Sequence, residues 1–200
     1  MNRTAALEKL KTIDVDDFFK QHQKEVIKIL ESKDTALQMM NQIEILVKKI
    51  KELQKEDSEH KVKYFQFSYL RIGVKEHKVK IFLQAFNEKW YFDEREVDIT
   101  FNLVAFEKLF QLAQRYLDAQ YRKRTLKFEF FDLDNVLMDI GSHLALLGFM
   151  SFKTHLDVGN IQLKCLEGIH LSPDFEVRAG EYLGDDSILF KYSESDGEEG

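Results

Sequence analysis

The amino-acid sequence predicts an α+β fold, and three observations support this class. Two segments with apolar residues at helical spacing occupy residues 15–56. Segments rich in aromatic and β-branched residues, typical of strands, follow over residues 62–101. Helical and strand patterns then succeed each other without strict alternation. This order predicts an N-terminal helical hairpin, an antiparallel β-meander packed against helices, and further short strands near the C-terminus.

The N-terminal half of the chain is predicted to consist of an arm at residues 1–14 and a helical hairpin at residues 15–56. The first helix is expected to begin after Asp14, and the second at Asp34, a favourable N-cap residue. A narrow apolar seam with 3-4-3-4-3 spacing follows the second helix: Ala36, Met39, Ile43, Leu46, Ile50 and Leu53. The seam favours packing within the chain, and a short coiled-coil dimer is the alternative. We therefore expect a monomer or a homodimer.

Residues 57–192 are predicted to form an α+β body that makes a single domain with the hairpin. The clearest strand pattern is an alternation in which four apolar residues share one face: Val79, Ile81, Leu83 and Ala85. The tripeptide WYF at residues 90–92 and residues 126–131 are also expected to be strands. Helices are predicted from Leu103 to about Arg122, and from a cap at Asp134 into a buried apolar segment. The last strands are expected near residues 160–166, 175–183 and 187–193.

The net charge of −6 is unevenly distributed along the chain. From residue 171 to residue 200, nine acidic residues oppose Arg178 and Lys191, a net of −7, so residues 1–170 carry about +1. Residues 193–200 lack apolar side chains and are predicted to be a disordered acidic tail. The average charge of the whole chain therefore does not indicate whether the folded part prefers acidic or basic partners.

Several features predict a cytoplasmic protein. Cys165 is the single cysteine, which excludes an intramolecular disulfide and favours a reducing compartment. The longest uncharged run has thirteen residues, from 140 to 152, whereas a membrane-spanning helix needs about 20. The N-terminal segment has no apolar core of the kind that a secretory signal needs. We expect no membrane segment, and the composition, with one proline, is typical of a bacterial protein.

The segment FFDLDNVLMD at residues 130–139 carries the most chemically suggestive motif. Two carboxylates that follow a strand at positions i and i+2 can act on one phosphoryl group. The segment resembles the first motif of the haloacid dehalogenase-like phosphatases. The resemblance implies Asp132 as nucleophile, Asp134 as general acid/base, a nearby Mg²⁺ and a late acidic position at Asp185. Only 53 residues separate Asp132 from Asp185, which is short for that family's βα units, and Asn135 stands where the motif usually has glycine.

The preferred interpretation of this segment is therefore structural, with Asp134 as a helix N-cap. A small Mg²⁺-dependent phosphatase-like enzyme that uses Asp132 and Asp134 is kept as the first alternative.

A basic segment at residues 61–81, here called the basic hairpin, suggests a second alternative. It contains six basic residues against Glu76 alone: Lys61, Lys63, Arg71, Lys75, Lys78 and Lys80. Aromatic residues interleave with these cations, and aromatic side chains on a sheet can stack nucleobases while lysines contact phosphates. The segment could therefore serve a nucleic-acid-binding module, although the acidic tail would compete for the same charges.

Other catalytic or ligand-binding signatures are missing from the sequence. No two of its histidines have the i, i+4 spacing of a helical metal site, and no phosphate-binding glycine motif occurs. His143 and Cys165 are expected to be buried structural side chains. We expect no metal and no cofactor. The preferred functional prediction is a non-catalytic soluble interaction or accessory protein that binds another protein through a sheet edge, the helical hairpin or the tail.

Overall fold

The computed structural model describes residues 3–70, 79–122, 130–157 and 166–191. Within these residues the fold is α+β, as the sequence predicts. The helices are α1 (Arg3–Leu30), α2 (Lys33–Glu56), α3 (Val104–Arg122) and α4 (Phe130–Asp157). The strands are β1 (Val62–Leu70), β2 (Lys80–Phe86), β3 (Val97–Asn102), β4 (Leu171–Glu181) and β5 (Asp186–Lys191).

The five strands form one mixed sheet in the order β3-β2-β1-β4-β5. Strands β1, β2 and β3 are antiparallel neighbours, so the predicted meander is confirmed. Strand β4 runs parallel to β1 and antiparallel to β5. A parallel pair needs a crossover connection, and α3 and α4 lie in the stretch between β3 and β4.

The inner face of the sheet, defined as the face that packs against the helices, carries the main core. Phe67 of β1 lies 6.1 Å from Phe149 and 5.7 Å from Phe152 of α4, measured between ring centroids. The predicted apolar face of β2 is buried at Ile81, Leu83 and Ala85. The α2 seam is buried as well, at Met39, Ile43, Leu46 and Ile50. The seam therefore packs within the chain, as the preferred interpretation predicted.

The starts of the first two helices differ from the predictions. Helix α1 begins at Arg3, so the residues expected to form an arm are helical from that point. Asp14, expected to precede the first helix, lies within it, where it is buried and accepts a hydrogen bond of 3.1 Å from the Tyr121 hydroxyl. Helix α2 is capped by Ser32, whose hydroxyl accepts a hydrogen bond of 3.2 Å from the Thr35 N–H. Asp34 lies in the first turn and is not the cap.

The segment around the Asp-x-Asp motif also differs from the prediction. Phe130 and Phe131, expected to end a strand, are the first residues of α4, while residues 126–129 lie outside the described ranges. Because α4 starts at Phe130, Asp134 is its fifth residue and cannot be its N-cap. The tripeptide at Trp90–Phe92 is a 3₁₀ turn and not a strand.

Helix α4 is long and apolar enough to cross a membrane between Asp134 and Lys153. Its Ile140, Leu144 and Ala145 are buried in the core, whereas its Leu146, Leu147 and Met150 are exposed. Strands β4 and β5 confirm the predictions near residues 175–183 and 187–193. Residues 160–165 of the strand expected near residues 160–166, which include Cys165, lie outside the described residues, as does the acidic tail. Leu166 stands in a turn.

Candidate functional site

The three acidic residues of the phosphatase-like motif occupy a helix and a turn. Asp132 and Asp134 lie in the first two turns of α4. Asp185 is exposed in the turn between β4 and β5, where its carbonyl oxygen accepts a hydrogen bond of 3.1 Å from the Glu181 N–H. The phosphatase motif places its carboxylates directly after a strand, so residues 130–134 do not form the geometry that the resemblance implies.

The described members of the basic hairpin do not form one patch. Lys80 of β2 stands opposite Leu70, at one end of β1. Lys63 lies at the other end of β1, seven residues before Leu70 and roughly 23 Å from it along the strand. Lys61 lines a polar surface cleft together with Asp57 and Glu59, so the charge there is mixed. Arg71, Lys75 and Lys78 lie outside the described residues.

Lys63 forms an ion pair with Asp174 of β4. The hydrogen bond from Lys63, supported by one from the Ser172 hydroxyl, lowers the pKa of Asp174 to about 2. The same hydrogen bond raises the pKa of Lys63. Because both shifts favour the charged pair, Lys63 is already neutralised within the chain and offers little to a phosphate backbone.

Metal and histidine chemistry receives no support from the part of the chain that is described. There, no group of three or more His, Cys, Asp and Glu side chains could hold a metal ion. His143, expected to be buried, is exposed on α4, and its Nδ1 lies 2.8 Å from the carbonyl oxygen of Asp139. The expectation of a core histidine is therefore wrong, because this side chain lies outside the buried stripe of α4.

The outer face of the sheet, opposite the helices, brings together residues that the sequence did not single out. The register places Gln66 opposite both Gln84 of β2 and Arg178 of β4. Alternation along the strands then puts three further aromatic side chains on this face: Tyr64, Phe82 and Phe86. The outer face thus has a polar centre with aromatic residues around it.

A turn at Trp90 folds against this face. The Trp90 ring lies 4.1 Å from the Tyr64 ring and is stacked on Phe86 at 5.9 Å, between centroids. The backbone φ of Trp90 is 56°, a left-handed conformation that costs a bulky residue roughly 1–3 kcal/mol. Buried Asp93 stabilises the turn by accepting hydrogen bonds from the N–H groups of Asn87, at 2.8 Å, and Arg95, at 3.0 Å.

Arg178 links the Trp90 turn to the β4–β5 side of the face. Its guanidinium carbon lies 5.1 Å from the Trp90 ring centroid, a cation–π contact. The guanidinium donates to Asp186 at 2.6 Å and to Glu176 at 2.9 Å, and Lys191 also pairs with Glu176 at 3.1 Å. The hydrogen bond to Asp186, followed by that to Glu176, raises the pKa of Arg178. These ion pairs neutralise the basic residues at the centre of the face.

An exposed apolar surface lies above this network. Five exposed apolar side chains in the Trp90 turn, the β4–β5 turn and β5 are here called the aromatic patch: Tyr91, Phe92, Tyr182, Leu183 and Ile188. Tyr91 packs on Phe86 and Tyr182 on Phe82, with ring centroids 5.2 and 5.3 Å apart. Burial raises the pKa of Tyr91, and the nearby Asp186 carboxylate and Tyr182 hydroxyl add to this effect. Tyr91 of the Trp90 turn therefore lies close to Tyr182 and Asp186 of the β4–β5 hairpin.

The patch residues differ in how far they reach into solvent. Phe92 is 85% exposed, Leu183 68% and Ile188 47%. Leu183 has a backbone φ of 57°, so both turns that carry the patch contain a non-glycine residue in the left-handed region. Exposed apolar clusters of this kind mark interaction surfaces in soluble proteins.

Below the patch lie two buried amide side chains, Gln66 and Gln84. The Gln84 Nε2 group donates to Glu96 at 3.1 Å, whereas Gln66 Nε2 reaches only the Ser68 hydroxyl, at 3.5 Å. The Oε1 atoms of both side chains are buried without a hydrogen-bond partner. The centre of the outer face is therefore a polar layer buried beneath other parts of the chain, and not a strand surface exposed to solvent.

Sequence reasoning missed this site because it followed the inner, apolar face of each strand. The available signal was the run WYF between the turn-forming segments NEK and DERE. Three consecutive large aromatic residues cannot all face a core from so short a segment, so one of them is expected at the surface. Phe92 takes that position.

Comparison with known proteins gives no relative: no protein-family model matches the chain, and no curated protein or solved structure matches it significantly. The function must therefore be argued from the site itself.

Proposed function

We propose that this chain is a non-catalytic interaction or accessory protein of the cytoplasm, which binds another protein through the aromatic patch. The single observation that carries the proposal is the 85% exposure of Phe92 in a turn that is otherwise firmly packed. A large ring held in solvent by a fixed backbone stabilises nothing within the chain, whereas aromatic side chains are enriched at the centres of protein interfaces.

The size of the patch supports this proposal. If each side chain offers about 200 Å² when fully exposed, the exposed fractions of the five residues correspond to roughly 550 Å². That value lies within the range of the largest, often functional, patches on soluble monomers. With a polar rim it approaches the ~800 Å² that one partner contributes to a standard protein–protein interface.

The patch is also pre-organised. The Trp90 and Tyr91 rings pack on Tyr64 and Phe86, and Asp93 ties the turn to the backbone on both sides. A surface whose side chains are already ordered loses less conformational entropy on binding. Neither alternative function has comparable support, because Asp132 and Asp134 lie in a helix and Lys63 is paired with Asp174.

The proposal can be tested with the double variant Phe92→Ser/Leu183→Ser in the full chain. Both side chains are exposed, so the variant should keep the wild-type melting temperature. Cross-linking in the native cell, followed by mass spectrometry, should give a specific partner with the wild type, and its yield should fall at least tenfold in the variant.

The matched control is Leu37→Ser on α2, which removes a side chain that is 61% exposed and lies on the helical side of the fold. This control should retain the partner. If the double variant is folded and still cross-links to the same partner with wild-type yield, the proposed binding surface is wrong.

A further inference from the structure

Resting on the proposed function, we infer the chemical class of the partner: a protein segment in which apolar side chains alternate with lysine or arginine. The aromatic patch would contact the apolar side chains, and carboxylates at its border would contact the cations. The inference depends on the charge that remains around the patch after the internal ion pairs are formed.

One border of the patch is acidic. Glu94 follows the Trp90 turn by two residues, Glu96 accepts its hydrogen bond from Gln84, and Asp98 stands opposite Gln84 in the sheet. A fourth carboxylate, Asp185, borders the patch in the β4–β5 turn, two residues after Leu183. Within the described residues none of these four carboxylates forms an ion pair, and Glu94, Glu96 and Asp185 are exposed.

The cations on the same face are already occupied. Arg178 is held by Asp186 and Glu176, Lys191 by Glu176, and Arg95 by Asp57 at 3.2 Å. Lys89, at the start of the Trp90 turn, is exposed. Lys49 of α2 donates a hydrogen bond of 2.8 Å to the Asp98 carbonyl oxygen, so Asp98 is left out of the charge count. Glu94, Glu96 and Asp185 against the Lys89 ammonium group leave a local excess of two negative charges beside an apolar surface.

This excess of negative charge favours some binding partners of the aromatic patch over others. In a symmetric dimer the same patch would meet itself, so the acidic borders of two copies would face each other and repel. A nucleic acid would be repelled for the same reason. A basic segment gains from the same carboxylates, and complementary charge at a rim also accelerates association. The chemistry therefore favours a basic and apolar partner segment over a second copy of this chain.

The test uses two labelled synthetic peptides of equal length, one alternating leucine with lysine and the other alternating leucine with glutamate. Fluorescence anisotropy with the full chain should show the lysine peptide binding at least tenfold more tightly than the glutamate peptide. Its affinity should fall as salt is raised, because the border carboxylates are exposed and screened.

Three variants separate patch binding from general attraction to an acidic protein. The charge reversal Glu94→Lys/Asp185→Lys should weaken the lysine peptide about tenfold and strengthen the glutamate peptide. The control reversal Glu31→Lys/Asp118→Lys changes the net charge equally at exposed positions, one in the turn after α1 and one on α3, and should leave the preference unchanged. Phe92→Ser/Leu183→Ser should lose most binding of the lysine peptide. Equal effects of the two charge reversals would overturn the inference, as would wild-type binding by the Phe92→Ser/Leu183→Ser variant.

A failure of the inference about partner class gives a different result from a failure of the proposed binding surface. If the partner from the native cell requires Phe92 and Leu183 but its cross-linked segment carries no basic residue, the inference about partner class is wrong while the binding surface stands. If neither the native partner nor the lysine peptide responds to Phe92→Ser/Leu183→Ser, both proposals fall.

Discussion

At the scale of single residues, contacts of the Trp90 ring offset the strain in the Trp90 backbone. A left-handed backbone at a tryptophan is unfavourable, yet the ring reaches Tyr64, Phe86 and Arg178 only from that turn. Aromatic pairs contribute about 0.5–1.5 kcal/mol each beyond area burial and a cation–π contact about 0.5–1 kcal/mol, so two aromatic contacts and one cation–π contact can offset the strain. The consequence is a rigid turn that holds Phe92 in solvent.

Two buried glutamines of the fold should respond in opposite ways to the same substitution. Gln66 has one long hydrogen bond and an unpartnered carbonyl oxygen, so Gln66→Met should be neutral or should stabilise the fold by about 1 kcal/mol. Gln54 donates to the carbonyl oxygens of His60 and His170 at 2.9 and 3.0 Å and accepts from the His170 N–H at 2.9 Å. Gln54→Met should cost about 2–3 kcal/mol.

Urea unfolding of the two glutamine variants measures this difference. A loss of more than about 1 kcal/mol in Gln66→Met would contradict the prediction, and would mean that Gln66 has a hydrogen-bond partner in solution, such as an internal water molecule.

The Lys63–Asp174 pair predicts a specific acid dependence of stability. The pKa of Asp174 is about 2 in the folded chain, below its ordinary value of 3.8. A carboxyl with a lowered folded-state pKa contributes stability above its unfolded pKa, and that contribution is lost as the pH falls from about 4 towards 2. Asp174→Asn should therefore be less stable than the wild type at pH 6, and the difference should shrink as the pH falls below about 4 and be small at pH 2.

Thermal unfolding between pH 2 and pH 7 checks the Asp174 prediction, with Lys63→Met as the matched variant on the other side of the ion pair. Both side chains are partly exposed, so salt should reduce the difference. An undiminished difference between Asp174→Asn and the wild type at pH 2 would contradict the assignment of the shift to this pair.

At the scale of elements, the β4–β5 hairpin holds half of the aromatic patch. Gly180 of β4 lies so close to β5 that an added Cβ would be 2.2 Å from the Asp185 carbonyl oxygen and 2.6 Å from the Asp186 Cα. These are backbone atoms, which cannot move without opening the hairpin. Gly184, in the turn itself, would meet only the flexible side chain of Glu181, at 3.0 Å or more.

We therefore expect Gly180→Ala to destabilise the fold by about 3 kcal/mol, because the clash involves the backbone of the paired strand. Gly184→Ala is the control and should change stability by less than about 0.5 kcal/mol. Both values can be obtained from denaturant unfolding. Similar losses for the two variants would show that the close approach at Gly180 does not decide the stability of the hairpin.

At the scale of the whole molecule, the sheet separates two surfaces with different roles. Its inner face and the helices form a continuous apolar core, which includes α2, α3 and α4. Its outer face holds buried amides, ion pairs and the aromatic patch. Substitutions in the apolar core should accordingly affect folding, and substitutions in the exposed aromatic patch should affect binding.

Removal of residues 193–200 should leave the fold intact, since the described fold ends with β5 at Lys191. Circular dichroism and a melting temperature within about 2 °C of the wild type would agree with this expectation. The control deletion starts at Asp186 and removes β5, including buried Leu189, so it should destabilise the protein strongly. Unfolding of the shorter deletion would mean that the tail contributes to the fold.

Much of the fold was predictable because alternating or helical apolar patterns record which side of an element meets the core. The β2 pattern from Val79 to Ala85 and the α2 seam are examples, and both are buried as expected. The pattern could not predict that β4 pairs in parallel with β1, because strand partners are chosen by contacts distant in sequence. Nor could it reveal that Phe130 begins a helix, since a run of phenylalanines suits a strand and a buried helix equally.

By itself, therefore, the sequence determined the α+β class, the order of most elements and the inner core, since burial of apolar side chains leaves a periodic record in the chain. Only the tertiary structure decided the candidate site. The site draws on three separate segments: β1 with Gln66, the Trp90 turn, and the β4–β5 hairpin with Arg178 and Leu183. They come together because β4 pairs with β1 and both turns fold over the same face. A site made from exposed turns and polar strand positions has no period, so apart from the WYF run at residues 90–92 the sequence carries no pattern that indicates it.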